Sequence, residues 1–280
     1  MLNLKIDTTQ LRTTWLGRCL YYCIPNHKSV AFENIERVFH GHLSHHEKKR
    51  LLIAVYSHAL TSLKEIFLMS VISDKRLKNR VEFRGLEHFI DATKKGRGVI
   101  LLTGHFGNWE FAPILGLPSI DAFKGQFHFI RKSLRFHWMD NILFSRYCRR
   151  GINIIPMGGA LKKARAALKK NDAVLFVLDQ KANTNPNTRI TSLFLGQQAS
   201  TYTSLAQLAN ENKCAVLPVF TYRLDNKKHV IECFEEILWE DDADPAESIR
   251  KNTRHYVQQL ERMLLEHPEQ WIWNYKRWDN

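Results

Sequence analysis

Val99-Ile100-Leu101-Leu102-Thr103-Gly104-His105-Phe106-Gly107-Asn108-Trp109-Glu110 joins an apolar run to a turn flanked by two glycines. The run reads as a strand buried on both faces. Gly104 and Gly107 permit a tight bend, and Asn108 is a good cap for a helix starting at Trp109. The stretch therefore predicts strand, sharp turn and helix, with His105 at the strand's carboxyl end. On a continuous helix a five-residue separation rotates Glu110 well away from His105, so contact between them needs the bend.

Outward from this stretch, strand and helix alternate. Ser44-His45-His46-Glu47 has the form of a capping box and opens a helical pattern to about residue 72, with Leu51, Leu52, Val55, Leu60, Leu63 and Phe67 among its apolar positions. Residues 86–95 read as a helix stopped by Gly96. Further strands are predicted over 126–131, 152–156, 174–178, 215–222 and 230–234, and helices over 136–149, 159–170 and 201–212. Asp244-Pro245-Ala246-Glu247 opens a last helix reaching Glu266, which His267-Pro268 should stop. This order predicts an α/β sandwich with a largely parallel or mixed central sheet flanked by helices, preceded by long N-terminal helices. Ligands of such sheets favour the carboxyl ends of strands, where His105 falls.

Composition sets the outer bounds. Apolar residues make up 44% and charged residues 25% of 280 positions, the balance of a folded globular chain. No Pro/Gly/Ser-rich linker divides it, so residues 1–280 read as one domain. Forty-one Lys and Arg against 28 Asp and Glu leave a formal charge of +13, which favours an anionic partner: a phospholipid surface, nucleic acid or an acidic carrier protein. Most basic clusters, such as Lys162-Lys163, read as solvated helix faces. The five cysteines are odd in number and form no CxxC pair, which speaks against a disulfide framework or zinc knuckle and for free thiols in a reducing cytoplasm.

No signal-peptide pattern or spanning segment stands out; the nearest candidate, residues 60–72, is broken by Lys64 and Glu65. Within residues 1–30, Trp15, Leu16, Cys19, Leu20 and Cys23 recur at helical spacing beside Arg12 and Arg18. That make-up fits an interfacial helix, and equally a helix packed on the protein's own core. The aromatic tail over 267–280, with Trp271, Trp273, Tyr275 and Trp278, reads as core or as interface.

His105 and Glu110 are the candidate catalytic pair. A neutral imidazole can take a proton from an attacking hydroxyl near neutral pH, and a neighbouring carboxylate would fix its tautomer and stabilise the imidazolium. Taken alone, HxxxxE is better explained by a loop histidine beside a first-turn carboxylate. Metal binding is disfavoured, because HExxH is absent and one His with one Glu falls short of a zinc set.

GHFGNWE resembles the first motif, His-x4-Asp/Glu, of the lysophospholipid acyltransferase superfamily, in the form found in its bacterial lipid A late acyltransferase (lauroyl/myristoyl) branch. The downstream order is similar too. Phe129-Ile130-Arg131 resembles the second motif, and Val177-Leu178-Asp179-Gln180 the Asp-Gln segment of that branch. Phe194 to Thr201, Leu217-Pro218-Val219 and His267 to Trp273 match further landmarks, so the likeness spans roughly residues 30 to 278. Glu110 stands where many members carry Asp, and the branch's long hydrophobic amino-terminal anchor is missing.

The resemblance implies an O-acyltransferase that moves a fatty chain from an acyl carrier protein or coenzyme A thioester to a hydroxyl of a glycolipid or lysolipid, such as a lipid A precursor. It implies His105 and Glu110 as the catalytic dyad, with no acyl-enzyme. Arg131 is implied at a phosphate and Asp179 near the acceptor site; Asp179 as a local backbone cap is the competing reading. Asn108 joins them as a substrate-binding candidate, with amides near it as oxyanion donors. No metal or bound cofactor is expected beyond the acyl-ACP or acyl-CoA co-substrate. The expected location is peripheral, on the cytoplasmic face of the bacterial inner membrane and against its anionic surface. A non-catalytic lipid-binding or membrane-associated scaffold on the same fold is the alternative; nucleic-acid binding lacks a reading motif and is not expected.

Overall fold

Seven strands form the central sheet of this computed structural model, which describes residues 4, 6–23, 25–69, 72–132, 145–182 and 185–278. They are β1 (Val81–Arg84), β2 (Val99–Thr103), β3 (Phe127–Arg131), β4 (Ile152–Pro156), β5 (Ala173–Val177), β8 (Ala215–Arg223) and β9 (His229–Cys233), in the order β1-β9-β8-β2-β5-β3-β4. A separate antiparallel hairpin holds β6 (Arg189–Phe194) and β7 (Gln197–Tyr202). Neighbours in the sheet are parallel except β8 and β9, so β1 and β9 run against the other five and the sheet is mixed.

Helices among the described residues include α1 (Trp15–Cys23), α2 (Pro25–Phe39), α3 (His45–Leu68), α4 (Asp74–Lys78), α5 (Leu86–Thr93), α6 (Ala112–Gly116), α7 (Ala160–Leu168), α8 (Ser204–Asn212) and α9 (Pro245–Glu266). They cover both faces of the sheet. Strand alternation splits the interior into two cores: Ile100, Leu102, Val174 and Phe176 point to the side of α2, α3 and α7 to α9, while Val99, Leu101, Ala173 and Leu175 point to the side of α5 and α6. Burial on both faces explains why the strands read as continuous apolar runs rather than alternating ones.

Local signals held where they are local. The capping box forms at α3, with Ser44 N donating to Glu47 at 2.7 Å and Glu47 N donating to Ser44 Oγ at 3.3 Å. The predicted helix over 136–149 lies largely outside the described residues; 145–148 are helical. Two features differ. The hairpin turns through Leu195 (φ 52°) and Gly196 (φ 76°), both left-handed, and the helix expected from 201 begins only at Ser204 because Thr201 and Tyr202 belong to β7. Leu195 is fully buried and its N–H donates to the Glu261 carboxylate, so tertiary contacts hold the leucine at a left-handed position that its own side chain disfavours.

α1 packs on α3 through Gly17, whose hydrogens face Ser57 so closely that a Cβ would lie 2.0 Å from its hydroxyl oxygen. Gly17 and Tyr21 are the buried face and Leu20 packs partly on the core, while Trp15, Leu16, Cys19 and Cys23 point outward, so the apolar stripe of this helix divides between core and surface. The aromatic tail packs on the core: Trp271, Trp273 and Trp278 are buried and Trp271 packs edge-on to Trp273. Among the described residues one helix, α3, is long and apolar enough by length and composition to cross a membrane, and it overlaps the 60–72 stretch that the sequence offered as the nearest candidate. It carries buried Lys48 and Glu65 and packs much of its surface inside the protein, as a core helix does.

Candidate active site

β2 and β5 are parallel neighbours in register, with Thr103 opposite Val177. Each chain leaves the sheet at the same end, so the residue two past Thr103 meets the residue two past Val177. Those residues are His105 and Asp179. The His105 Nδ1–H donates to Asp179 Oδ1 at 2.9 Å, and its backbone N–H donates to Oδ2 at 2.7 Å. The Trp271 indole donates to the same Oδ2 at 2.9 Å. Asp179 is buried, and three donors satisfy a carboxylate that would otherwise be costly to enclose.

An ionised carboxylate only accepts, so Nδ1 carries the hydrogen and Nε2 keeps its lone pair. No described residue hydrogen-bonds Nε2, and the ring edge is partly exposed. Burial disfavours the imidazolium, yet the charge and hydrogen bond of Asp179, joined by the charge of Glu110, outweigh it and raise the His105 pKa above 6.5. Burial likewise opposes the Asp179 carboxylate, and His105 with Trp271 overrides it and lowers that pKa.

The partner expected for the imidazole was Glu110, and here the geometry corrects the sequence reading. Glu110 accepts a 2.5 Å hydrogen bond from the buried Tyr147 hydroxyl and reaches His105 only through its field. Asp179, expected near the acceptor, is instead the carboxylate on the imidazole and does not line the cavity; Gln180 does. Asn108 is corrected too. It caps no helix at Trp109, since α6 starts at Ala112, and its amide donates to Glu65 Oε2 at 2.9 Å and Ser62 O at 3.1 Å. Being buried there, it faces no substrate. Of the amides along the turn, three are engaged: His105 N by Asp179, Phe106 N by Gly104 O and Gly107 N by Gln270 O.

The turn is built for close approach. Gly107 has φ 57°, and a Cβ there would lie 2.1 Å from Thr221 O on β8; at Gly104 it would lie 2.6 Å from the Phe106 ring. Beneath it sits a polar network the sequence reading missed. Arg223 clamps Glu65 with two bonds, Nη2 to Oε2 at 2.6 Å and Nε to Oε1 at 3.1 Å. His229 Nε2 lies 3.1 Å from Glu65 Oε1. Arg223 Nη1 donates to His58 Nδ1 at 3.0 Å, and His58 Nε2 donates to Gly107 O at 3.1 Å. Burial, then the Arg223 charge, hold His58 neutral and push its pKa down to about 3.

A cavity of about 750 Å³ opens on His105. That is within the range of small-molecule pockets. Leu117, Leu175, Val219 and Ile231 of the α6-side core make one wall apolar, while Gln180, Thr188, Tyr202, Ser204 and Gln207 supply polar groups elsewhere. Trp109 lines it edge-on to the His105 ring, 5.2 Å between centroids. Arg131, at the end of β3, lines it beside Tyr147 as well, and Met157 and Leu161 are exposed at its edge. Among the described residues no group of three His, Cys, Asp or Glu is placed to hold a metal ion.

Among known proteins, the chain is similar to a lipid A biosynthesis acyltransferase of Haemophilus influenzae, 21% identical over 264 residues that cover 92% of this chain and 76% of that one. A lipid A biosynthesis lauroyltransferase of Escherichia coli is also 21% identical, over 266 residues covering 94% and 82%. The crystal structure of the 1-acyl-sn-glycerophosphate acyltransferase PlsC from Thermotoga maritima matches 87% of this chain and 94% of that one at 18% identity, but its TM-score of 0.36 is too low to bear on fold or function. The model of one family, the bacterial lipid A biosynthesis acyltransferases, matches residues 6–280, and this chain, an acyltransferase, belongs to that family.

Proposed function

We propose that this enzyme moves a fatty acyl chain from a thioester, carried by acyl carrier protein or coenzyme A, to a hydroxyl of a lipid A-type glycolipid. The observation that carries the reading is a carboxylate-oriented imidazole whose other nitrogen is unengaged by described residues, beside a cavity with an apolar wall. His105 Nε2 removes the hydroxyl proton as the oxygen attacks the thioester carbonyl. The tetrahedral intermediate collapses with cleavage of the carbon–sulfur bond, and the leaving thiolate takes the proton from the imidazolium. Asp179 holds the ring in the required tautomer and stabilises the imidazolium, and Glu110 adds its field. Arg131 binds a phosphate of the acceptor or of the carrier's pantetheine arm.

The reaction takes place at a membrane surface, on the cytoplasmic face of the inner membrane. Supporting this are a formal charge of +13 and the outward apolar residues of α1 and α3. The test is mass spectrometry of products after incubating the pure protein with a defined acyl thioester and a lipid A precursor lacking secondary acyl chains. One added acyl mass, absent with His105→Ala, is expected; no transfer from either thioester would overturn the proposal.

A further inference from the structure

The C-terminal segment lies directly on the catalytic turn. Trp271 forms an isolated antiparallel bridge with Phe106, and Gly107 N donates to Gln270 O at 2.9 Å. Gln270 in turn grips the end of β8, donating to Arg223 O at 2.9 Å and accepting from Arg223 N at 2.8 Å. This backbone register delivers the buried Trp271 indole to Asp179 Oδ2 at 2.9 Å, the oxygen that also accepts the His105 amide. An indole can donate but not accept, so it opposes protonation of that carboxylate and draws its charge away from the imidazole.

We propose that Trp271 is a positioning residue for the general base: its indole N–H shares the Asp179 carboxylate with His105 and so sets how tightly the imidazole holds its proton. The proposal rests on the reading of His105 as the base. Other charges face the pair. Glu110 acts on His105 from the turn, Arg131, Lys132 and Lys162 line the cavity, and Arg277 of the C-terminal segment faces Asp179 while held by Ser200 O at 2.6 Å and Thr201 Oγ1 at 2.8 Å. None of these hydrogen-bonds Asp179 among the described residues, whereas Trp271 does.

Trp271→Phe removes the donor and keeps most of the ring and the backbone bridge. With less of its charge engaged, Asp179 should hold the imidazolium more strongly. The His105 titration, followed by NMR of the imidazole and assigned by its loss in His105→Gln, is expected to move up by about half a pH unit or more. The acid limb of kcat/KM should move with it, so that activity well below the midpoint falls about three-fold for each half unit and returns at alkaline pH, with KM for the thioester unchanged. In an Asp179→Asn background the same substitution should add no further loss. Trp271→Met, which also lacks a donor, should repeat the shift and serves if the phenylalanine variant does not fold. An unmoved His105 titration, or the same fold-loss in both backgrounds, would overturn the proposal. The NMR titration needs no turnover, so it reads this role even if the wild-type protein transferred no acyl group.

Discussion

At His105 two carboxylates act in different ways on one proton. Asp179 touches the ring and Glu110 does not, yet both favour the imidazolium, and together they outweigh the burial that disfavours it. A base must be unprotonated to work, so kcat/KM should rise with pH through a midpoint above 6.5 and fall away below it. Glu110→Gln removes one negative charge without removing the hydrogen-bonded partner, and should shift that midpoint downward while transfer persists. A pH–rate series on both proteins checks the sign, and an upward shift would contradict this division of roles. Arg131→Ala is expected to raise KM about ten-fold or more for the phosphate-bearing substrate and to change kcat less. Unchanged KM for both substrates would remove Arg131 from binding.

The turn between β2 and α6 depends on elements far from it in sequence. Glu65 of α3 and Arg223 of β8 form a buried pair beneath it, and truncating one partner strands the other charge; Glu65→Ala should cost about 3–5 kcal/mol of stability. The same network makes the fold acid-sensitive. Burial opposes the Glu65 carboxylate, but the Arg223 clamp and the His229 ring beside it override that cost and bring its pKa down to about 2 from 4.5, so its contribution is complete above pH 4.5 and is lost as pH falls toward 2. His58 stays neutral in the fold to about pH 3, while the unfolded chain takes up a proton near 6.5; stability should therefore already decline as pH drops below 6.5. Thermal denaturation between pH 6.5 and 4.5 is expected to show a slope that His58→Gln flattens, and a pH-independent wild-type Tm there would contradict the assignment. These long-range groups also mark where sequence reading stops. The capping box of α3, the strand ending at Thr103 and the bend at Gly107 were legible because neighbouring residues determine them. Asp179 as the partner of His105 was not, since it follows from β5 lying beside β2 in register, and strand order is not written in either strand. Leu195-Gly196 was missed for a similar reason: a buried leucine at positive φ is held by Glu261 of α9, 66 residues on.

Across the whole molecule, Trp15, Leu16 and Tyr22 of α1 and Leu63 and Phe67 of α3, two helices that pack together, are exposed on a chain of formal charge +13. Apolar side chains on a strongly basic protein suit an anionic bilayer, whose attraction falls with salt. Co-sedimentation with anionic vesicles should therefore weaken at high ionic strength, and Trp15→Asp with Phe67→Asp should weaken it at every ionic strength. Retention unaffected by both would contradict a membrane contact through this face. The alternation of strand and helix announced the sandwich, while the polar network and the carboxylate just past β5 had to be read from the packed molecule. Proton removal by His105 depends most directly on Asp179, and one comparison tests that dependence: single-turnover acyl transfer by wild-type protein and by Asp179→Asn, which keeps the side chain's shape and removes its charge. The expected result is a folded protein whose transfer rate is lower by about a hundred-fold or more, approaching that of His105→Gln; transfer at the wild-type rate would contradict it.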